Sequence, residues 1–243
     1  WDKGEVVELT PPHDVLGQVI GQYLPKTEAL REMMKKSYDI LSNHPINVER
    51  MKKGLNPANS IWFWGAGTRP ALFVEKTGHT GAMISAVDLL KGIAVGADMK
   101  VVEVEGANGG LDTNYEGKAD AAVEALLKDD LDFAYIHLEA PDEMGHQGSF
   151  ERKVQAIENL DKRIIKRVTE QLEAAGTDFR MLVLPDHPTP VAIRTHVSDP
   201  VPYMLYDSTN KQSHTWNYNE KEAQESGNYI DKGYTIINHL FEK

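Results

Sequence analysis

The sequence predicts an α/β protein with a mainly parallel sheet flanked by helices. Three observations carry this expectation. From Ser60 onward, short apolar runs alternate with helical patterns, as β-α-β units require. Clusters of Asp and His directly follow apolar runs, and open parallel sheets present their ligand sites at strand carboxyl ends. The 243 residues, 41% hydrophobic and 26% charged, supply core for one large or two small domains.

Residues 1–58 differ from the rest. Pro11-Pro12, Pro25, Pro45 and Pro57 punctuate one helical pattern from Glu28 to Ser42, whose Leu30, Met33, Met34, Tyr38 and Leu41 recur every three or four residues as a core-facing stripe. Strands are expected at Ile61 to Trp64, Ala82 to Ser85, Lys100 to Val104, Phe133 to Glu139, Arg180 to Pro185 and Pro202 to Tyr206. Trp62 and Trp64, alternating aromatics of the first of these, are assigned to the core rather than to a pocket. Helices are expected at Ala86 to Ala94, Tyr115 to Lys128, Phe150 to Ala174 and Tyr229 to Phe241. The third carries a continuous stripe of Val154, Ile157, Leu160, Ile164, Ile165, Val168 and Leu172. Lys211 to Ser226 is polar and aperiodic and reads as a surface loop.

Composition bounds the partners. Lys and Arg total 26 against 37 acidic residues, a net charge of −11 and a pI near 5.3, which argues against a general nucleic-acid or anionic-membrane surface. An anionic substrate therefore needs a local cluster of cations or metal. No cysteine occurs, which excludes disulfides and thiolate metal sites and fits a reducing cytoplasm. No apolar run approaches the ~18 residues of a membrane span. The chain opens on Trp1 and runs straight into Glu5-Val6-Val7-Glu8-Leu9-Thr10-Pro11-Pro12, the look of mid-protein sequence, so a fragment is expected.

The chemistry concentrates in three clusters. Ala140-Pro141-Asp142-Glu143-Met144-Gly145-His146 places Asp142 and His146 on one side of a helical turn, with Gly145 relaxing the backbone. Leu184-Pro185-Asp186-His187-Pro188-Thr189-Pro190 stiffens an adjacent Asp-His pair with prolines. Arg194-Thr195-His196 follows. Two carboxylates and three imidazoles suit Zn²⁺ or Mn²⁺ better than calcium, and five ligands exceed one tetrahedral ion, so two ions are the economical reading. The alternative is a set of hydrogen-bonded loop residues. His13, His44, His137, His214 and His239 have no carboxylate or histidine at useful spacing along the sequence, although His137 is close enough in sequence to support the metal strand.

At these residues the sequence resembles the archaeal-type cofactor-independent phosphoglycerate mutases of the alkaline phosphatase superfamily. The likeness extends to His44-Pro45-Ile46-Asn47 with Arg50, Ile61-Trp62-Phe63-Trp64-Gly65, Ser85 to Ile93, and Leu111-Asp112-Thr113-Asn114-Tyr115. It implies phosphoryl transfer between the 2- and 3-hydroxyls of glycerate through a phosphoserine, assisted by two divalent ions, Mn²⁺ or Zn²⁺ or else Mg²⁺. Asp142, His146 and His196 would hold one ion, and Asp186 and His187 the other, together with a nucleophilic Ser and an Asp that this sequence does not supply. Its Asp-Gly motif is absent, and Asn108 stands where a threonine is expected. The resemblance makes residues 1–58 the end of an inserted cap domain and residues 59–243 the carboxyl-terminal part of the metal-binding core, inactive without the remainder. By motif position, Lys76, Arg50, Asn47 and Arg194 are the substrate-binding candidates; a solvated lysine and a helix-end arginine are the plainer readings of Lys76 and Arg50. A homoserine-kinase-like phosphotransferase, a phosphatase, or a folded metal-binding fragment without turnover are the alternative functions.

Overall fold

The computed structural model describes residues 7–15, 17–68, 71–211 and 215–241, leaving aside the side chains of positions 13 and 14. The side chain of His13, and His214, lie outside the described residues. The chain forms two compact units, Trp1–Arg69 and Pro70–Lys243. No helix among the described residues is long and apolar enough to cross a membrane.

In the first unit, two 3₁₀ turns, Pro12–Val15 and Ile20–Tyr23, precede helices α1 (Glu28–Leu41) and α2 (Pro45–Lys52). The α1 stripe buries less than its periodicity promised: Met34 is buried, but Met33 and Tyr38 are 51% and 53% exposed. The segment that reaches α1 does so through a polar contact, with Ile61 N–H donating to Ser37 Oγ at 3.0 Å. Pro45, read from sequence as a breaker, instead opens α2, where its missing N–H costs nothing, and His44 Nδ1 accepts from Ile46 N–H as the cap. The expected strand Ile61 to Trp64 does not form. A short apolar run becomes a strand only with a partner to complete its ladder. Here Ile61 N–H is taken by a side chain, Trp62 Nε1 donates to Thr10 O at 2.7 Å, and Trp64 is 54% exposed rather than in a sheet core.

The second unit opens with α3 (Phe73–Thr77), closed by Gly78 at φ 74°, and continues into β1 (Gly81–Ile84). It proceeds through α4 (Asp88–Gly96), β2 (Lys100–Val101), α5 (Tyr115–Leu127) and β3 (Phe133–Ile136). These strands form a parallel sheet in the order β2-β1-β3, with Gly81 opposite Phe133 and Ile84 opposite Ile136. The chain leaves β1 toward β2 on one side and returns to β3 on the other, so the carboxyl ends of β1 and β3 flank a switch in strand order. Every residue of β1 is buried, as a central parallel strand demands.

After β3 come α6 (Ala140–His146) and a long helix made of α7 (Phe150–Asn159), a π-helical turn at Leu160–Ile165, and α8 (Lys166–Ala174). A wider turn re-aims a helix face. Ahead of it Val154 and Ile157 are 39% and 50% exposed, while Ala156, Ile164, Val168 and Leu172 are buried with Tyr115, Ala140 and Met144 in the main core. Bidentate pairs Arg163–Glu116 and Arg167–Asp120 tie this helix to α5. Strands β4 (Arg180–Val183) and β5 (Met204–Asp207) pair antiparallel in a separate two-stranded sheet, Arg180 opposite Asp207. The expected loop Lys211 to Ser226 contains α9 (Glu220–Glu225), a helix without an apolar stripe that starts because Asn219 caps Glu222 N–H at 2.9 Å. Of the expected helix Tyr229 to Phe241, only a 3₁₀ turn at Gly233–Thr235 and α10 (Ile236–Phe241) are helical.

Candidate metal centre

Helix α6 begins four residues beyond β3, with Pro141 in its first turn where no donor is lost. Ala140 and Met144 sit in the core at 1% exposure each, which turns Asp142 and His146 to the opposite, partly exposed side. Asp142 falls in the first turn and His146 in the last, the arrangement the helix dipole favours. Gly145 is required by contact rather than by backbone freedom: a Cβ there would run into the carbonyl oxygen of Thr189 and meet Thr189 Cγ2 at 3.0 Å. That close approach brings the β4–β5 connection, with Asp186, His187 and His196, against α6.

Of the five residues named from sequence as ligands, His146, His187 and His196 converge on Asp142, and Asp186 lies against His187. His146 Nε2 lies 3.2 Å from Asp142 Oδ2, His196 Nε2 lies 3.2 Å from Asp142 Oδ1, and the two Nε2 atoms are 3.1 Å apart. An ion with bonds of about 2.1 Å sets its ligands about 3.0 to 3.4 Å apart, so these three residues fit a divalent ion between them with little rearrangement. His187 Nδ1 is 3.9 Å from Asp142 Oδ1, and its ring stacks on that of His196 at 3.6 Å between centroids. Asp186 Oδ2 is 3.3 Å from His187 Nε2, with its carboxylate 65% exposed.

The surrounding contacts orient these groups. His146 Nδ1 is 3.0 Å from the carbonyl of Arg194, which can only accept, so Nδ1 carries the proton and Nε2 offers its lone pair. Arg194 adopts φ 61°, a left-handed conformation that an arginine holds only when its surroundings impose it. Here Arg194 N–H donates to Pro190 O at 2.9 Å. Thr189, 3% exposed, donates its hydroxyl to Asp142 Oδ1 and has His187 Nδ1 at 3.3 Å. Lys153 Nζ donates to Thr189 O at 2.6 Å, and its burial pulls the ammonium pKa down against the pull of Asp142. Nothing in spacing along the chain links Thr189 or Lys153 to Asp142, so sequence reasoning misses both.

A second polar cluster lies beside the first, at the carboxyl ends of β1 and β3. Ser85 Oγ is 3.4 Å and Glu139 Oε1 is 3.7 Å from the same His137 nitrogen, Nδ1, so this is not a Ser-His-acid relay, which needs both ring nitrogens. Lys118, wholly buried on α5, donates to His137 O at 3.2 Å and contacts Asn108 O at 3.4 Å. Burial lowers the pKa of both Lys118 and His137, with Glu139 opposing each shift. Sequence spacing pointed to none of these except His137.

The remaining sequence candidates are placed differently. Asn47 is buried in the first unit with its amide fully engaged, donating to Leu41 O and Ala58 O and accepting from Ala58 N–H. Arg50 donates from Nε to Asn56 O at 2.8 Å. Lys76 is exposed in the last turn of α3, which leads into the amino end of β1, whereas the Asp142 cluster follows the carboxyl end of the parallel β3. The Arg194 guanidinium lies over Gly148, where a side chain would displace it.

A parallel sheet flanked by helices, with Asp and His side chains gathered beyond its carboxyl edge, defines an α/β protein with a candidate metal site. The family model described as the metalloenzyme superfamily matches residues 23–242, and the chain belongs to that superfamily. It is 47% identical over 229 residues to a 2,3-bisphosphoglycerate-independent phosphoglycerate mutase of Methanosarcina barkeri, covering 92% of this chain and 57% of the relative. It is 44% identical over 250 residues to a probable 2,3-bisphosphoglycerate-independent phosphoglycerate mutase of Geobacter sulfurreducens, covering 100% of this chain and 62% of the relative. The chain thus spans about three fifths of the length of these curated relatives. A solved cofactor-independent phosphoglycerate mutase from Thermoplasma acidophilum superposes with a TM-score of 0.57 at 25% identity, over 88% of this chain and 51% of that one. A solved Pyrococcus horikoshii protein gives a TM-score of 0.69 at 33% identity, over 82% and 51%.

Proposed function

We propose that this chain carries the metal-binding part of a phosphoglycerate mutase that interconverts 2- and 3-phosphoglycerate. The convergence of His146, His187 and His196 on Asp142 is the observation that carries the reading. Divalent ions bound there, Mn²⁺ or Zn²⁺ by donor set, would supply the positive charge that an acidic protein otherwise lacks for a phosphoryl dianion. Asp142, His146 and His196 would hold one ion; Asp186 and His187 would hold a second, completed by a serine and an aspartate not identified in these 243 residues. In the proposed reaction that serine oxygen forms a bond to phosphorus as the glycerate C–O oxygen leaves with a proton. The glycerate then presents its other hydroxyl, whose oxygen displaces the serine. Arg194, whose backbone already holds His146, is the cation nearest in sequence to the ligands; Lys76, Arg50 and Asn47 are proposed substrate contacts by motif position. Residues 1–58 are proposed as the end of a cap and residues 59–243 as core.

The test is an enolase-coupled assay with Mn²⁺ on the 243-residue chain and on a version extended to the length of its relatives. The extended protein should convert 3-phosphoglycerate and the 243-residue chain should not. Release of inorganic phosphate without isomerisation would replace this reading with a phosphatase.

A further inference from the structure

We propose that Thr189 is a positioning residue that couples the two ligand groups of the metal centre, an inference that rests on the metal-centre reading above. A threonine hydroxyl has one proton to give and lone pairs to receive with. Its contact with Asp142 Oδ1 is the closest at the site, and a carboxylate oxygen can only accept, so the proton goes to Asp142. The hydroxyl oxygen then faces His187 Nδ1 at 3.3 Å as an acceptor, which calls for a proton on Nδ1. That tautomer leaves the Nε2 lone pair for an ion held between Nε2 and Asp186 Oδ2, 3.3 Å apart; with no ion there the Asp186 carboxylate, which can only accept, competes by drawing the proton to Nε2. One side chain therefore orients the Asp142 carboxylate of the first ligand group and selects the metal-binding nitrogen of the second.

The hydroxyl is itself held. Thr189 is 3% exposed, its carbonyl accepts from Lys153 Nζ at 2.6 Å, Gly145 gives it room, and Pro188 and Pro190 restrict the backbone on either side. Arg194 performs the matching task for His146 through its carbonyl, so each of these two histidines has its Nδ1 proton assigned by a group from the β4–β5 connection.

The test compares wild type, Thr189→Val and Thr189→Ser in the 243-residue chain. Calorimetric titration with Mn²⁺ and with Zn²⁺ gives the affinity, and ¹⁵N NMR of the Zn²⁺-loaded protein shows which His187 nitrogen carries the proton. Thr189→Val keeps the shape and removes the hydroxyl; it should weaken binding about 10- to 100-fold, as loss of an outer contact to a ligand does. It should also abolish the preference for a proton on Nδ1 in the Zn²⁺-loaded protein. Thr189→Ser should restore both. Unchanged affinity in Thr189→Val overturns the proposal, as does a Thr189→Ser protein as weak as Thr189→Val, which would make the methyl packing responsible. If Thr189→Val fails to fold, a Zn²⁺-loaded wild type with His187 protonated on Nε2 overturns it and one protonated on Nδ1, with Thr189→Ser binding normally, sustains it. A wild-type chain that binds neither ion refutes the metal-centre reading and this inference with it, whereas tight wild-type binding unaffected by Thr189→Val refutes this inference alone.

Discussion

Replacing Gly145 with alanine should destabilise the protein although it lies in a helix, where alanine ordinarily gains up to about 1 kcal/mol over glycine. The new methyl would strike the Thr189 carbonyl oxygen and come within 3.0 Å of Thr189 Cγ2 and 3.1 Å of Lys153 Nζ. The carbonyl cannot swing aside cheaply, because Lys153 holds it at 2.6 Å and prolines flank the residue. Overpacking a rigid contact costs about 1 to 3 kcal/mol, and the upper end applies when backbone is the obstacle. The net expectation is a loss of about 2 kcal/mol, a fall of about 4 to 8 °C in Tm for a chain of this size. Gly92 in α4 is the control, since a Cβ there meets nothing within 4 Å. Gly92→Ala should raise Tm by about 2 to 4 °C through propensity alone. Thermal unfolding followed by circular dichroism compares the pair, with Mn²⁺ affinity measured alongside. A Gly145→Ala protein as stable as Gly92→Ala, or binding metal as wild type does, would refute the close packing of α6 on the β4–β5 connection.

Asp207 is held at about 2 by the Thr209 hydroxyl first and by Arg180 across the β4–β5 ladder. A folded pKa below the ordinary 3.8 means its stabilisation is present above that value and is lost as the pH falls toward 2. Asp207→Asn should therefore lower Tm at neutral pH, with the gap closing through this window; a gap that persists undiminished at the acid end contradicts the assignment. In the extended enzyme, His146→Ala and Asp186→Ala should each reduce kcat by orders of magnitude in the coupled assay, and near-wild-type turnover in either removes that residue from the centre. Lys76→Ala in the same enzyme should lower kcat/KM with metal content unchanged if Lys76 meets the substrate anion; an unchanged kcat/KM returns it to the solvated end of α3.

The candidate cluster was legible because its signals are local. Asp142 and His146 are four apart in a segment that is helical, and Asp186 and His187 are adjacent between prolines just beyond a strand. What holds them was not legible, since Gly145, Lys153 and Thr189 meet only when the β4–β5 connection folds onto α6. Gly145 illustrates the gap: sequence suggested a residue easing the backbone, and the structure requires it for the space a side chain would fill. Secondary structure followed the same rule. The stripe from Val154 to Leu172 marked a buried helix, but Ile61 to Trp64 had the composition of a strand without a partner, and α9 depends on a capping Asn219 rather than on any apolar period. The π turn at Leu160–Ile165 left no mark on the apolar periodicity, which ran unbroken from Val154 to Leu172.

The central claim, that Asp142 is the hub of a divalent-metal centre, is met most directly by calorimetric titration of the 243-residue chain with Mn²⁺ and Zn²⁺, in wild type and Asp142→Asn. Asp142, His146 and His196 supply one ion with three protein ligands, and Asp186 with His187 supply a second with only two, so a single tight equivalent is expected for wild type. That equivalent should be lost in Asp142→Asn while the circular dichroism spectrum is unchanged. A wild-type chain with no tight equivalent, or an Asp142→Asn chain that keeps it, would contradict the account.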